Sequence, residues 1–147
     1  MAQVIVRVSG KEVTHEYAFN SDAYHYAAEC KEQGYTAFVR PDPEVGMGAT
    51  LQYPQDAYPF VITRVSPSGK TVWVKPVKSV DKSTGHEPAH FEGPWPVWHH
   101  VYSPAELEQF VQAEAPERMV RKVKYGWASH GTPYSIGQAV FHRNYSY

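Results

Sequence analysis

Short runs of alternating apolar and polar residues, separated by turns rich in Gly and Pro, recur along this 147-residue chain. The first run, "QVIVRV", carries Val4 and Val6 on one side and Arg7 on the other. A period of two residues is the side-chain period of a β-strand, and the following "SGKE" is typical of a tight turn between antiparallel strands. The pattern predicts an α+β fold that is mainly antiparallel β.

Residues 1–43 are predicted to form a ββαβ module. Two alternating runs make a hairpin, and small apolar residues then recur at helical spacing through "DAYHYAAECKEQ", ending at Cys30. Asn20 or Ser21 can cap the start of this helix, and Gly34 stands where a left-handed C-terminal cap is expected. The run "YTAFVR" predicts the last strand of the module.

Residues 44–147 are predicted to form a second, SH3-like or otherwise β-rich module with one inserted helix at 104–114. Ser103 is the expected N-cap of that helix, and Glu106 completes a capping box. Residues 81–100 show no periodicity and predict a long ordered loop. The last two alternating runs, "RMVRKVKYGW" and "YSIGQAVFHRNYSY", predict two C-terminal strands.

Composition narrows the classes of partner and location. The formal net charge is −1, so a polyanion would have to bind at a local basic patch. Cys30 is the single cysteine, which excludes an intramolecular disulfide. No run approaches the roughly 20 apolar residues of a membrane span, and no signal peptide is evident. We therefore expect a cytoplasmic protein with no membrane partner.

Gly46 and Gly48 raise the question of a phosphate-binding loop. Such a loop works because the backbone N–H groups at the start of a helix face the anion. Here the glycines lead into "ATLQYP", which is strand-like, and no Gly-Lys-Ser/Thr ending follows. The glycines instead indicate a tight bend or a close backbone approach at the entry to a sheet.

Several short motifs resemble those of a family of small, mostly uncharacterised phage and prophage proteins. They are "VGMGAT", "DAYP", "SGKT", the late pairs Gly126-Trp127 and Ile136-Gly137, and the closing "NYSY". This family pattern is distantly similar to the phage anti-Thoeris sponge proteins, which sequester cyclic ADP-ribose signals without hydrolysing them. The motifs occupy two blocks that together cover about half of the chain and leave the first module unexplained.

The resemblance implies a non-enzymatic accessory protein that sequesters a small phosphorylated, nucleotide-like ligand, such as a cyclic nucleotide immune signal of the host. It also implies a homo-oligomer, because sponge-type sites often lie between subunits. Two positions depart from the family pattern: Ala57 and Ala139 stand where the family carries Arg. Because Arg is the natural bidentate partner of a phosphate, these changes alter any inherited anion site.

Basic and aromatic residues near the C-terminus supply the candidate contacts. The expected ligand site uses Arg121, Lys122, Lys124 and Arg143 for charge and Trp98, Trp127 and Tyr134 for stacking. This ligand site requires residues 118–147 to form two neighbouring strands around one cavity. An SH3-like adaptor for nucleic acid or protein would use the same aromatic residues on a flatter surface. A further alternative is that the basic side chains only solvate the outer face of an antiparallel sheet.

The histidine-rich loop offers a third class of function, a metal-dependent hydrolase. His86, His90 and His99 are the candidate zinc ligands, because imidazole nitrogen binds zinc readily. The loop has no Cys pair and no HExxH pattern, so hydrogen-bonded loop histidines are the favoured interpretation and no cofactor is expected. No GxSxG elbow or paired-carboxylate pattern is present, which favours a binding protein over an enzyme.

Overall fold

The computed structural model describes residues 1–124 and 126–145. The chain divides into two compact units, Met1–Asp42 and Pro43–Tyr147, each with its own sheet. All strand pairings among the described residues are antiparallel, and two α-helices accompany them. The predicted α+β, mainly antiparallel class is therefore confirmed. The final two residues of the predicted C-terminal strand lie outside the described residues.

The N-terminal unit is a three-stranded sheet with one helix packed on it. Its strand order is β2-β1-β3. Its elements are β1 (Ala2–Val8), β2 (Lys11–Tyr17), α1 (Asn20–Glu32) and β3 (Thr36–Arg40). Val4 and Val6 of β1 pack against Ala27 and Cys30 of α1 in a core of small side chains. Cys30, the last of the small apolar residues at helical spacing, is buried in this core.

The two ends of α1 differ from each other in how well the sequence predicted them. Gly34 adopts the predicted left-handed conformation, with φ of 88°, just after the helix. At the start, the N-cap is Phe19, which makes no side-chain capping hydrogen bond. The predicted capping role of Asn20 is wrong, because its side-chain amide instead donates to Asp42 O at 2.9 Å and accepts from Asp42 N at 2.8 Å.

The second unit contains nine strands and a second helix among its described residues. These are β4 (Gly48–Gln52), β5 (Ala57–Val65), β6 (Thr71–Pro76), β7 (His90–Glu92), β8 (Trp95–Val101), α2 (Pro104–Phe110), β9 (Arg118–Val123), β10 (Gly126–Ser129), β11 (Thr132–Gly137) and β12 (Val140–Asn144). The strand order is β4-β11-β10-β9-β6-β5-β12-β8-β7, and β4 also pairs with β5. The first six strands therefore close into a barrel, and the other three extend from it.

Closure of the barrel depends on a close approach between β4 and the segment that follows β11. A Cβ atom on Gly48 would lie only 2.5 Å from Ala139 N, so only glycine fits there without displacing the backbone. Thr50 is buried and donates from Oγ1 to Gln138 O at 2.7 Å, while accepting from Val140 N at 3.0 Å. The predicted role of Gly48 in a close backbone approach agrees with this geometry.

Two apolar cores support the second unit. One fills the barrel and includes Phe60, Ile62 and Val74. The other lies under the extension, where Trp98 of β8 and Leu107 of α2 pack together with Phe141 of β12. The extension is thus part of a packed structure rather than a loose appendage.

Three sequence predictions for this unit need correction. The predicted loop at 81–100 contains the hairpin of β7 and β8, and the two predicted C-terminal strands are four. The predicted helix at 104–114 ends at Phe110, because the chain beyond it pairs with the end of β6: Gln112 N donates to Pro76 O at 2.9 Å, and Val111 forms a bridge with Val77. The capping box of Ser103 and Glu106 at the start of α2 is confirmed.

Neither helix within the described residues combines the length and apolar character needed to cross a membrane.

Candidate functional site

The alternation of β9 decides which basic side chains enter the barrel. Val120 is fully buried in the barrel core. Because side chains alternate along a strand, Arg118 and Lys122 lie on the same face of β9 as Val120, and Arg121 lies on the opposite face. The contacts agree: the Arg118 guanidinium carbon lies 5.3 Å from the centre of the buried Phe60 ring, whereas Arg121 Nε lies 3.3 Å from Met119 Sδ.

Arg118 opens onto a groove at one end of the barrel, which we call the barrel mouth. Its cavity volume is about 400 Å³. The lining comes from the end of β4, the start of β9 and both sides of the β10–β11 turn, and it is formed by Leu51, Tyr53, Glu117, Arg118, Met119, Ser129, His130, Thr132 and Tyr134. The groove therefore combines one guanidinium, several hydroxyl groups and two phenol rings.

The aromatic floor of the mouth is rigid. Tyr134 is only 6% exposed, and its ring meets Phe60 edge-on, with centroids 5.6 Å apart and an interplanar angle of 72°. Edge-to-face packing of this kind fixes both rings against the barrel core. A ligand entering the mouth would therefore meet a preformed surface.

The charge of Arg118 is not neutralised within the described part of the chain. No salt bridge among the described residues involves its guanidinium. The neighbouring carboxylate of Glu117 is engaged elsewhere: it accepts a hydrogen bond from Thr63 Oγ1 and lies 3.7 Å from Arg64 Nη2. The mouth thus offers a cation to an incoming anion.

The turn between β10 and β11 forms the rim of the mouth. His130 and Gly131 both have positive φ, at 49° and 79°. A two-residue hairpin turn with this geometry normally uses Asn-Gly or Gly-Gly, because a side chain strains the left-handed conformation. His130 is therefore held at the rim in an uncommon backbone conformation.

Three of the predicted ligand contacts form one row on the barrel wall. Lys122 pairs with Trp127 across β9 and β10, and Trp127 pairs with Tyr134 across β10 and β11. Only Tyr134 of this row lines the mouth. Arg121 lies on the outward face, and Lys124 is exposed just beyond β9.

The remaining two predicted contacts lie in the extension. Arg143 of β12 pairs with Trp98 of β8, and its guanidinium carbon lies 4.5 Å from the centre of the Tyr145 ring. Trp98 is buried in the core of the extension. The seven predicted residues are divided in this way because β12 does not continue beside β11 but lies between β5 and β8.

Sequence reasoning missed Arg118 and the hydroxyl groups of Tyr53, Ser129 and Thr132. Arg118 lies three positions before Arg121, but the two residues between them, Met119 and Val120, are both apolar, so alternation alone did not show which arginine shares the face of Val120. The hydroxyl groups carry no local signal, because Ser129 lies on β10, Thr132 lies on β11 and Tyr53 lies just beyond β4.

A second polar cluster lies in the extension and contains His86, His100 and Glu106. Glu106 Oε2 is 2.8 Å from His100 Nε2 and 3.3 Å from His86 Nε2, and the two imidazole centroids are 4.6 Å apart. Burial acts to raise the pKa of Glu106, but the N–H of Ser103 and the His100 imidazole together hold that pKa below its ordinary value. The carboxylate form is therefore favoured here.

The other predicted histidines do not join this cluster. His99 Nδ1 is 3.1 Å from Nδ1 of His142, a residue of β12, and His90 Nε2 is 3.8 Å from Glu92 Oε1. Of the three predicted zinc ligands, only His86 belongs to a group of three or more metal-binding side chains among the described residues. Its neighbours are His100, which was noted only as part of the loop, and Glu106, which was assigned only a capping role.

Comparison with known proteins finds no matching family model, no matching curated protein and no matching solved structure.

Proposed function

We propose that this protein binds a small phosphorylated ligand in the barrel mouth and holds it without changing it chemically. One observation carries the proposal. Arg118 occupies an inward position at the open end of a closed barrel, and no described carboxylate neutralises it. Barrel mouths are common places for ligand sites, because the wall presents converging side chains around a cavity.

The chemistry of the lining suits a phosphate attached to an organic group. A guanidinium binds a phosphate through two parallel N–H donors, and the hydroxyl groups of Ser129 and Thr132 can complete the anion's hydrogen bonds. The rings of Tyr53 and Tyr134 offer surface for a base or a sugar. The volume of about 400 Å³ lies within the ordinary range for small-molecule sites.

Binding without turnover fits the described groups better than catalysis does. A hydrolytic site needs a nucleophile or an activated water beside a general base. In the described lining of the mouth, the single carboxylate, Glu117, is already engaged by Thr63 and Arg64. The other polar lining groups are hydroxyls, rings and the His130 imidazole, and no hydrogen bond among the described residues joins His130 to Ser129 or Thr132 as a base and nucleophile. A nucleotide immune signal, the ligand class implied by the resemblance, is the first class to test.

The adaptor alternative predicts a flat surface built from Trp98, Trp127 and Tyr134, but Trp98 and Tyr134 are buried. On the outward face of β5, β6 and β9 another ring, that of Trp73, is half-buried. The aromatic surface there is already covered, because the Arg64 guanidinium carbon stacks 3.9 Å from the centre of the Trp73 ring. Lys75 Nζ likewise donates to Ala113 O at 2.8 Å. A flat nucleic-acid surface needs open rings and unengaged cations, so this face supports base stacking less well than the mouth supports a small anion.

Native mass spectrometry and thermal unfolding with a panel of linear and cyclic adenine nucleotides test the proposal. A ligand supplied at 100 times its Kd is expected to stabilise the protein by about 2.7 kcal/mol, which raises the Tm. Arg118→Gln should abolish most of that rise, since it removes the cation. Arg121→Gln is the matched control on the outward face of the same strand, and it should leave the rise intact.

Two results would count against this function. One is that no nucleotide is retained and none raises the Tm of the wild-type protein. The other is that Arg118→Gln and Arg121→Gln respond alike to a ligand that does bind. The same mass spectra give the number of subunits, which the sequence resemblance implies is greater than one.

A further inference from the structure

We propose that His86, His100 and Glu106 form a zinc site, separate from the barrel mouth. The three residues come from different segments: His86 follows the 3-10 turn Lys82–Thr84, His100 lies on β8, and Glu106 lies in the first turn of α2. Their donor atoms lie within 4.8 Å of one another. Two imidazoles and a carboxylate are a donor set that zinc accepts, with a fourth position left for water.

The distances between the donors suit a tetrahedral ion. With zinc–nitrogen and zinc–oxygen bonds of about 2.0–2.2 Å, tetrahedral geometry places neighbouring donors roughly 3.3 Å apart. His86 Nε2 and Glu106 Oε2 are already 3.3 Å apart. His100 Nε2 and the same oxygen are 2.8 Å apart, so they must separate by only about 0.5 Å to admit the ion.

The second oxygen of Glu106 is held in place by the helix cap. Oε1 accepts a hydrogen bond from Ser103 N at 3.0 Å as half of the capping box. Oε2 is consequently directed at the two imidazoles, which it reaches at 2.8 and 3.3 Å. A carboxylate that is orientated through its other oxygen is the arrangement found around zinc ligands.

The hydrogen bonds around His86 direct its Nε2 lone pair toward the same point. His86 Nδ1 lies 2.8 Å from Thr84 Oγ1. The Thr84 hydroxyl donates to Asp81 O at 2.8 Å, so its single proton is used and its oxygen can accept a hydrogen bond from the Nδ1–H group of His86. His86 then carries its proton on Nδ1, and the lone pair of Nε2 is available to coordinate zinc, as a zinc-binding imidazole requires.

The surroundings are partly desolvated but accessible. The side chains of His86, His100 and Glu106 are 23%, 24% and 24% exposed. Phe110 lies 6.3 Å from the His86 ring, and the buried Tyr102 lies 4.8 Å from the His100 ring. Apolar walls strengthen the attraction between a cation and the carboxylate, while the exposed side gives the ion a path of entry. A bound ion would tie residues 81–86 to β8 and α2.

Zinc titration of the untagged, chelator-treated protein by calorimetry tests the site, with cobalt absorption as a check of tetrahedral geometry. We expect one zinc per chain and a Tm that rises with zinc. His100→Gln and Glu106→Gln should each weaken binding at least about tenfold, because each removes a ligand. Glu106→Gln is informative because glutamine also completes a capping box, so α2 keeps its cap.

His99→Gln is the matched control, since it changes the neighbouring residue of β8 and should leave zinc affinity unchanged. Thr84→Val tests the orientation of His86 and should weaken binding by about tenfold without removing a ligand. If His100→Gln or Glu106→Gln fails to fold by circular dichroism, Thr84→Val still decides. The site is overturned if the wild-type chain binds no zinc, or if His100→Gln, Glu106→Gln and Thr84→Val all match His99→Gln.

Discussion

The N-terminal sheet and the barrel bury their central valines equally well but are built in different ways. Val4 of β1 and Val74 of β6 are both 0% exposed. In the N-terminal unit, β1 pairs on both sides, while β2 and β3 each pair with β1 alone, and α1 covers one face. In the barrel, each of the six strands has a neighbour on both sides.

The two structures also differ in how far apart in sequence their contacting residues lie. The N-terminal unit is complete within 42 residues, and its most widely separated strand pairing joins Gln3 to Arg40. The barrel closes only when Thr50 meets Gln138 and Val140, which lie 88 and 90 positions away. Because a closed wall cannot settle inward as freely as an open sheet, we expect the barrel to respond more strongly to the same substitution.

The largest expected effect comes from one matched pair of core truncations. Val74→Ala should destabilise the barrel by about 3 kcal/mol, and Val4→Ala should destabilise the N-terminal unit by about 1.5 kcal/mol. The open sheet can move toward α1 to fill part of its cavity, whereas the barrel wall is held on both sides. Urea denaturation combined with hydrogen exchange at residues 2–40 and 48–76 measures both. Equal losses of unfolding free energy in the two variants would show that barrel closure does not determine the cost of a core truncation.

Substitutions at two glycines, one in each unit, test the same difference between the barrel and the N-terminal unit. Gly48→Ala would place a Cβ 2.5 Å from Ala139 N and 2.9 Å from Gln138 C, which are backbone atoms, so the closure must shift at a cost of about 2 kcal/mol. Gly34→Ala meets no atom within 4 Å and is strained only by its φ of 88°, at a cost of about 1 kcal/mol. Thermal unfolding of the two variants gives the order. A smaller loss for Gly48→Ala than for Gly34→Ala would contradict the close approach.

Local patterns predicted much of the fold because they depend on neighbouring residues. Alternation in "QVIVRV" and the capping box at Ser103 each need only a few positions, and both were confirmed. The hairpin of β7 and β8 was missed because β7 has three residues and Pro94 and Pro96 interrupt the pattern. Barrel closure was not predicted in any detail, since no short segment encodes which distant strand β4 will meet.

The candidate sites, like the fold, were predicted poorly where the residues involved are far apart in sequence or where the facing of a strand had to be known. Met119 and Val120 are both apolar, so the sequence did not reveal that Val120 faces inward while Met119 is 42% exposed. Without that parity, the sequence prediction named Arg121, which lies on the outward face, and left out Arg118. His86 and Glu106 are 20 positions apart, and Glu106 already had a complete explanation as a capping residue. Residues with two roles are the hardest to recognise from sequence.

The smallest expected effect concerns the helix caps, where the two units also differ. Ser103 caps α2 through its side chain, but Phe19 at the start of α1 has extended dihedrals (φ −123°, ψ 139°) and no side-chain hydrogen bond. The backbone is therefore ready for a cap that the side chain does not supply. Phe19→Ser should stabilise the N-terminal unit by about 0.5–1 kcal/mol, and Ser103→Ala should destabilise α2 by about 1 kcal/mol.

Phe19→Ala is the control for this last prediction, because it removes the same ring without offering a hydrogen-bond acceptor. Phe19 is 68% exposed, so loss of its ring alone should change stability little. Hydrogen exchange of the first-turn amides of α1 distinguishes the two variants, since a serine cap protects those amides and alanine does not. If Phe19→Ala stabilised the unit as much as Phe19→Ser, the gain would come from removing an exposed ring, and the uncapped helix start would not be the weak point of the N-terminal unit.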